Sequence, residues 1–437
     1  MRLTIVILCT LAWLNKAQAQ ELTYASADDS TYQQLISKRY KALIITGKQA
    51  LAQHIDFYYL RMRLGIGYYN QQQYRLALPQ FEAANKMNPA EVTCQEYLYY
   101  SYLLVGRTQD ANALASTLSN EMQTRINYHK TIIDAVTLGV GTGFNNNVAT
   151  GKSTTIIGAE NIYGSALYQG NTAFYSALVT HTLANRLQLM YGFSGFNIAS
   201  LGVVNTPNDF KTIAFNNTNY QYNLGANYQL RHGFNASVGA GVYPQNFSNY
   251  SGEFNATLNS YDFKTTTTHQ NSWAGTATIG KQGRYLHGLL GVAMGNFVST
   301  NQLQLEGTLV YYPLGNNNLY EISAITYKTE SNQFIISQKA GGKLFKWLWI
   351  EAKASYGNHS NYISQGGFLT YNTADALQLI AGMDLKIYFG KHLQFSPGYK
   401  LQQVQRNHIY YTTYNNYNTI TNNYFNQLLT TSLTWNF

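Results

Sequence analysis

Six charged side chains in the second half of the chain, Glu306, Glu321, Glu351, Lys353, Asp384 and Lys386, sit in segments that otherwise alternate apolar and polar residues. A period of two puts every second residue on one face of a β-strand. Read this way, all six share the polar face of one wall, which suits a selectivity-setting constriction or a substrate track. The same wall serves equally as an interior ion-pair ladder that only satisfies buried charge. Catalytic patterns are poor by comparison. Gly192-Phe193-Ser194-Gly195-Phe196 lacks the closing glycine of a nucleophile elbow and lies in a strand. Ser176 with His181 would need an Asn or Asp from across the strands to hydrolyse anything. The nine histidines are scattered and form no His-Glu-x-x-His motif. Gly139, Gly141 and Gly143 imitate a phosphate loop, but they lie on one strand face with no helix following, which suits close approach of a neighbour. The expectation is therefore a non-enzyme with no metal and no cofactor.

The elements that must position these residues come in two periods. From residue 31 to about residue 128, apolar residues recur at three and four, as in helices. Beyond residue 130 the period is two and stays so to the end, in about fourteen strand-like stretches divided by turn clusters. Long connections follow every odd strand in which one occurs: 145–171, 200–219, 246–271, 357–375 and 404–423. Even connections are short, such as Ala184-Asn185-Arg186 and Gly390-Lys391-His392. Such parity, with an even strand number, predicts an antiparallel transmembrane barrel whose two ends lie on one side. On that reading Phe425, Leu429, Leu433, Trp435 and Phe437 face lipid on the closing strand, and Leu377, Leu379 and Met383 do so on the strand at 376–389.

Composition agrees. Only 11% of the 437 residues are charged, 14% are aromatic and 38 are Tyr, while the mean hydropathy is −0.25. After the first twenty residues no apolar run nears the ~18 needed for a spanning helix. Residues 1–19 read as a secretory signal peptide, with Arg2, an apolar core from Leu3 to Leu14 and Ala17-Gln18-Ala19 as the cleavage site. Its removal takes away Arg2 and Lys16, lowers the formal charge from +9 to +7, and leaves Cys94 as the only cysteine, so no internal disulfide is expected. No basic run or basic helix marks a nucleic-acid footprint.

Within the helical part, Leu64-Gly65-x-x-Tyr68, Ala77-x-x-x-Phe81 and Pro89 resemble the tetratricopeptide repeat. Its period of about 34 residues brings Leu98, Tyr102 and Ala111 into register. The whole chain resembles outer-membrane proteins that join periplasmic repeats of this kind to a β-barrel: YaiO-like barrels, exopolysaccharide export porins and surface-lipoprotein assembly modulators. The shared residues are the repeat positions within 64–89, the terminal Phe437, and "GVGTGFNNNVAT" at 139–150. The resemblance implies a signal peptide over 1–19, a periplasmic helical domain over 20–128 and an outer-membrane barrel over 129–437 in a Gram-negative cell. It implies a translocation or export pore, or an assembly factor, that recruits a periplasmic protein or a polysaccharide or lipoprotein substrate. Tyr68, Tyr74, Phe81 and Tyr102 would line the recruiting groove, and Leu433, Trp435 and Phe437 would be read by the barrel-assembly machinery. A plugged anchor barrel scaffolding a periplasmic complex is the alternative, and a lipid-modifying barrel enzyme is the third reading.

Overall fold

The computed structural model describes residues 22–152, 164–206, 209–255, 257, 260–297, 300–364, 370–371, 376–413 and 416–437. The expected signal peptide lies outside the described residues. The chain divides into two compact units, Met1–Gly106 and Arg107–Phe437.

The first unit contains α1 (Tyr24–Ile36), α2 (Tyr40–Ala52), α3 (Tyr58–Asn70), α4 (Tyr74–Met87) and α5 (Val92–Leu104). Leu43, Leu60, Ala77 and Phe81 have no exposed surface, so the helices bury one continuous apolar seam. Gly65 sets the approach of α3 to α4: a Cβ placed there would stand 2.6 Å from the Phe81 ring. Arg63, otherwise buried, donates to Asp28 Oδ1 at 2.7 Å and so ties α3 to α1. Cys94 is buried, and its thiol is pushed up to about 12, first by that burial and then by Glu91. It is held as an unreactive thiol.

The second unit opens with two short helices, α6 (Thr108–Ala115) and α7 (Asn120–Arg125), so the helical region of the sequence is shared between the units. The barrel follows as β1 (Ile133–Phe144), helix α8 (Asn147–Lys152), β2 (Gly164–Ala184), β3 (Leu187–Thr206), β4 (Asp209–Gln229), β5 (Phe234–Asn255), β6 (Ser260–Gln282), β7 (Leu286–Phe297) and β8 (Thr300–Tyr311). It continues with β9 (Leu319–Lys328), β10 (Gln333–Phe345), β11 (Leu348–Tyr356), a small hairpin of β12 (Tyr362–Ile363) and β13 (Thr370–Tyr371), then β14 (Ala376–Phe389), β15 (Leu393–Thr413) and β16 (Asn416–Asn436). Leaving out the β12–β13 hairpin, the described strands form one closed antiparallel barrel in which each pairs with its neighbour in sequence, and β1 pairs with β16.

The outer face is apolar where a membrane would lie. Leu290 is 69% exposed, Leu138 58% and Leu429 49%, an arrangement stable only against lipid. Several strands run far past the bilayer: β6 has 23 residues where about 9–11 suffice to cross. The stretches 200–219, 246–271 and 404–423, read as loops, are mostly strand extensions. They lose their apolar alternation because above the membrane neither face meets lipid, yet the ladder of hydrogen bonds continues.

Two anchors hold the end near the chain terminus. Asp110 of α6, 4% exposed, meets Arg107 Nη2 at 2.7 Å and Arg186 Nη1 of the β2–β3 turn at 2.6 Å. At the seam, Val136 pairs with Trp435 and Leu138 with Leu433, while the Phe437 amide donates to Asp134 O at 3.0 Å. Phe425, Leu429, Leu433, Trp435 and Phe437 all lie exposed on the outer face. Deleting residues 435–437 removes the Val136–Trp435 and Ala135–Asn436 pairs and the Phe437 bond to Asp134 O, and opens an edge at that end of β1. We expect the truncated chain to lose the gel mobility shift between unboiled and boiled samples; a normal shift at normal surface level would contradict it. Asp110→Asn leaves the buried Arg107 guanidinium and the partly exposed Arg186 without their shared carboxylate, at a cost of up to about 3 kcal/mol. It should lower the thermal midpoint of the second unit, read by scanning fluorimetry.

The barrel lumen as candidate functional site

Strand register decides which predicted residues meet. Glu351 pairs across to Asp384, and Lys353 to Lys339, all with side chains inward. Lys386 Nζ donates to Glu351 Oε1 at 2.7 Å, Lys339 Nζ approaches Glu351 Oε2 at 3.0 Å, and Lys353 Nζ donates to Asp384 Oδ2 at 2.6 Å. The Tyr320 hydroxyl also donates to Glu351. Lys400 flanks Gly382 beside Lys353, within 3.1 Å of where a glycine Cβ would be. Four lysines thus surround two carboxylates, and the wall carries an excess of positive charge. Glu351, Lys353, Asp384 and Lys386 are brought together as read from the sequence. Lys339 and Lys400 were missed, although the alternation of β10 and β15 marks them as inward, and Tyr320 of β9 was missed because both faces of that strand carry apolar residues.

Glu306 faces inward but stands apart, accepting from Thr308 Oγ1 at 3.0 Å and Thr326 Oγ1 at 3.2 Å. Glu321 is a correction. It pairs with Ala340 and Tyr311 and lies exposed on the outer face, accepting from Gln338. Both faces of β9 carry apolar residues, so alternation there is ambiguous. Burial of Thr326 and Lys328 inside the barrel settles the face, and Glu321 sits only two residues from the strand end, where water is near. A second correction concerns Leu377. A register shift between Leu377 and Leu379 turns Leu377 inward, where it packs with Ile380 and Val404.

The lumen is crossed by segment 357–364, which leaves the top of β11 and folds inward. Lys328, 2% exposed, donates to the carbonyl oxygens of Asn358 at 3.1 Å and Ser360 at 2.6 Å. His359 has no exposed surface; its Nδ1–H donates to Leu377 O at 2.9 Å, leaving Nε2 to accept from Ser355 Oγ at 2.6 Å. Ile363 donates its amide to Gln304 Oε1 at 2.8 Å and packs against Tyr243, Ala274 and Phe297. The segment is held by polar contacts to β9, β11, β14 and β8 and by a small apolar contact to β5, β6 and β7.

The remaining predicted residues separate. Ser176 lies inward beside Gly139, whereas His181, an odd number of residues away, lies outward and stacks on exposed Tyr191, so they form no pair. Gly139 is closely approached, with Ser176 Oγ 2.6 Å from where a Cβ would be. In the helical unit Tyr68 and Phe81 do not line a groove: at 8% and 0% exposure they fill the space between helices. Tyr74 and Tyr102 are half-buried, Tyr102 donating to Glu82 Oε1 at 3.0 Å. Tyr74 belongs instead to an edge-to-face cluster with Tyr69, which also meets Tyr97 at 5.2 Å.

No family model and no curated protein matches the chain. Solved structures similar to it include a Pseudomonas aeruginosa FadL homologue, with TM-score 0.45 and 9% identity over 70% of this chain and 90% of that one. The translocator domain of the autotransporter NalP from Neisseria meningitidis gives 0.30 and 8% over 77% and 99%. A bacterial polysaccharide outer membrane secretin gives 0.33 and 9% over 69% and 98%. At this distance no residue of this chain takes a role from theirs.

Burial, with the neighbouring Lys328 charge adding to it, holds the His359 imidazole below its ordinary 6.5. A depressed folded-state value means that the neutral ring's contribution is complete above 6.5 and is lost as pH falls through the lowered value. Acidification should therefore loosen the latch. We expect the protection of amides across 357–364, measured against the unstructured-chain exchange rate at each pH, to fall well below pH 6.5 in the native chain, and His359→Gln to flatten that dependence.

Proposed function

We propose that the chain is an outer-membrane translocation channel of a Gram-negative bacterium whose pore is shut at rest by its own segment 357–364. One observation carries this reading: the plug is held by Lys328, His359 and Gln304 through hydrogen bonds to backbone and side chain, not by a covalent bond or a broad apolar core. Hydrogen bonds of this kind are individually worth about 0.5–1.5 kcal/mol net, or about 1.5–3 kcal/mol from the Lys328 ammonium, and can exchange for water, so the segment is removable. A barrel of this strand number is wide enough to leave an aqueous path once its inner loop is displaced. The positively biased wall around Glu351 and Asp384 would then favour anions in transit.

The helical unit is, on this reading, a periplasmic adaptor of the tetratricopeptide type. Support comes from the close α3–α4 packing at Gly65 and from the β1–β16 pairing, which brings the start of β1 and the end of β16 to the same end of the barrel. Its half-buried Tyr69, Tyr74, Tyr97 and Tyr102 offer an aromatic surface to a periplasmic protein or to a polysaccharide or lipoprotein substrate. The terminal Leu433, Trp435 and Phe437 would engage the barrel-assembly machinery.

Conductance in planar bilayers tests the channel. The native chain should give small, infrequent openings. Lys328→Met, or replacement of residues 358–364 by a short Gly-Ser linker, should raise conductance severalfold with a reversal potential favouring anions. Lys353→Glu in the opened channel should move that potential toward cations. A barrel that stays shut after both plug changes would be the closed anchor.

A further inference from the structure

We propose that the lumen beyond the plug, on the side away from the chain terminus, is a binding site for a saccharide reached from outside the cell. The proposal rests on the plugged-barrel reading for its direction of access, though not for its chemistry. The cavity there measures about 580 Å³, the size of a small-ligand site, with Phe297 and the plug residues Ser360 and Asn361 on its boundary.

Its most distinctive feature is a rung of three carboxamides on adjacent strands. Asn219 of β4 pairs across to Gln245 of β5, and Gln245 to Gln270 of β6, so the three face the lumen side by side. Gln245 is only 2% exposed, yet neither its Oε1 nor its Nε2 has a partner among the described residues. Asn219 Oδ1 and Gln270 Oε1 are buried and unpartnered in the same sense. Buried carboxamides normally pair, because leaving one unsatisfied costs about 1–3 kcal/mol per group. A row of such groups turned into one cavity is therefore arranged for something that enters it.

The chemistry of the row selects the occupant. Each carboxamide offers an acceptor and two donors, matching a hydroxyl that donates and accepts at once. Three at strand spacing, about 4.8 Å apart, match hydroxyls spread along a saccharide, which stand farther apart than neighbours on one ring. Phe247, half-buried, also lines the cavity and gives a flat apolar surface for the C–H face of a sugar ring. Among the described lining residues Arg406 is the sole charged side chain, so a cation has no counter-charge there. An aliphatic ligand is disfavoured because it would strand the carboxamides without partners.

Calorimetry on the detergent-purified full chain, with maltose and N,N′-diacetylchitobiose as probes, tests this. At least one should bind. Gln245→Met, which keeps length but removes both polar atoms, should weaken binding about tenfold or more, as should Gln270→Met. Phe247→Ala, which leaves the carboxamide row intact, should weaken it too, and heat-modifiable migration reports whether each variant is folded. The proposal is overturned if neither sugar binds the native chain at millimolar concentration, if folded variants bind like the native chain, or if decanoate binds in their place. Saccharide binding in a chain whose plug variants stay non-conducting would remove the gate and leave the site. Conduction without binding would do the reverse.

Discussion

Everything in the second unit depends on closure. In hydrocarbon an unpaired strand edge leaves a row of amides and carbonyls without partners, each costing several kcal/mol. The pairing of β1 with β16 removes that edge, with Val136 on Trp435 and Leu138 on Leu433. Because the closing strand is the last in the chain, the seam is completed by the final residues, and the terminal amide itself bonds to Asp134 O. Register then follows from the side-chain period of two, since a slip of one residue would send the outward Leu429 and Leu433 into the lumen.

Closure creates an interior that is either filled or wet. Here it is both, in layers. Near the chain terminus the lysines around Glu351 and Asp384 neutralise two carboxylates and leave positive charge on the wall. Above them segment 357–364 enters the lumen, with Lys328 satisfying two of its carbonyls. A lysine with 2% exposure is costly to bury. Its two carbonyl acceptors repay that only while the segment is in place, so plug and lysine stabilise each other. Beyond the plug the wall changes to carboxamides, consistent with a different task.

Asp110 links the helical part of the sequence to this structure. Held by Arg107 and by Arg186 of the β2–β3 turn, it fastens α6 to the barrel mouth, so the break between compact units falls after Gly106 and not where the sequence period changes. The helices before that break pack by close approach, and the large aromatics of the repeat pattern are consumed in doing so. Tyr68 and Phe81 illustrate the point: their spacing marks them as repeat residues, but the same spacing is what buries them.

The sequence by itself determined the barrel, the strand number, the bounds of β9 and β14 and the outward face of the last strand, because lipid imposes a strict period-two pattern that local residue order records directly. It also placed Glu351, Lys353, Asp384 and Lys386 on one inner wall. Where lipid makes no demand the pattern fades: the tall extensions of β3 to β6 looked like loops, and Glu321 on doubly apolar β9 was given the wrong face. Only the tertiary structure decided that residues 357–364 turn into the lumen, that Lys328 and His359 hold them, and that Asn219, Gln245 and Gln270 stand in one row. Those contacts join residues from strands far apart in the chain, and their geometry follows from register and closure, which no local period contains.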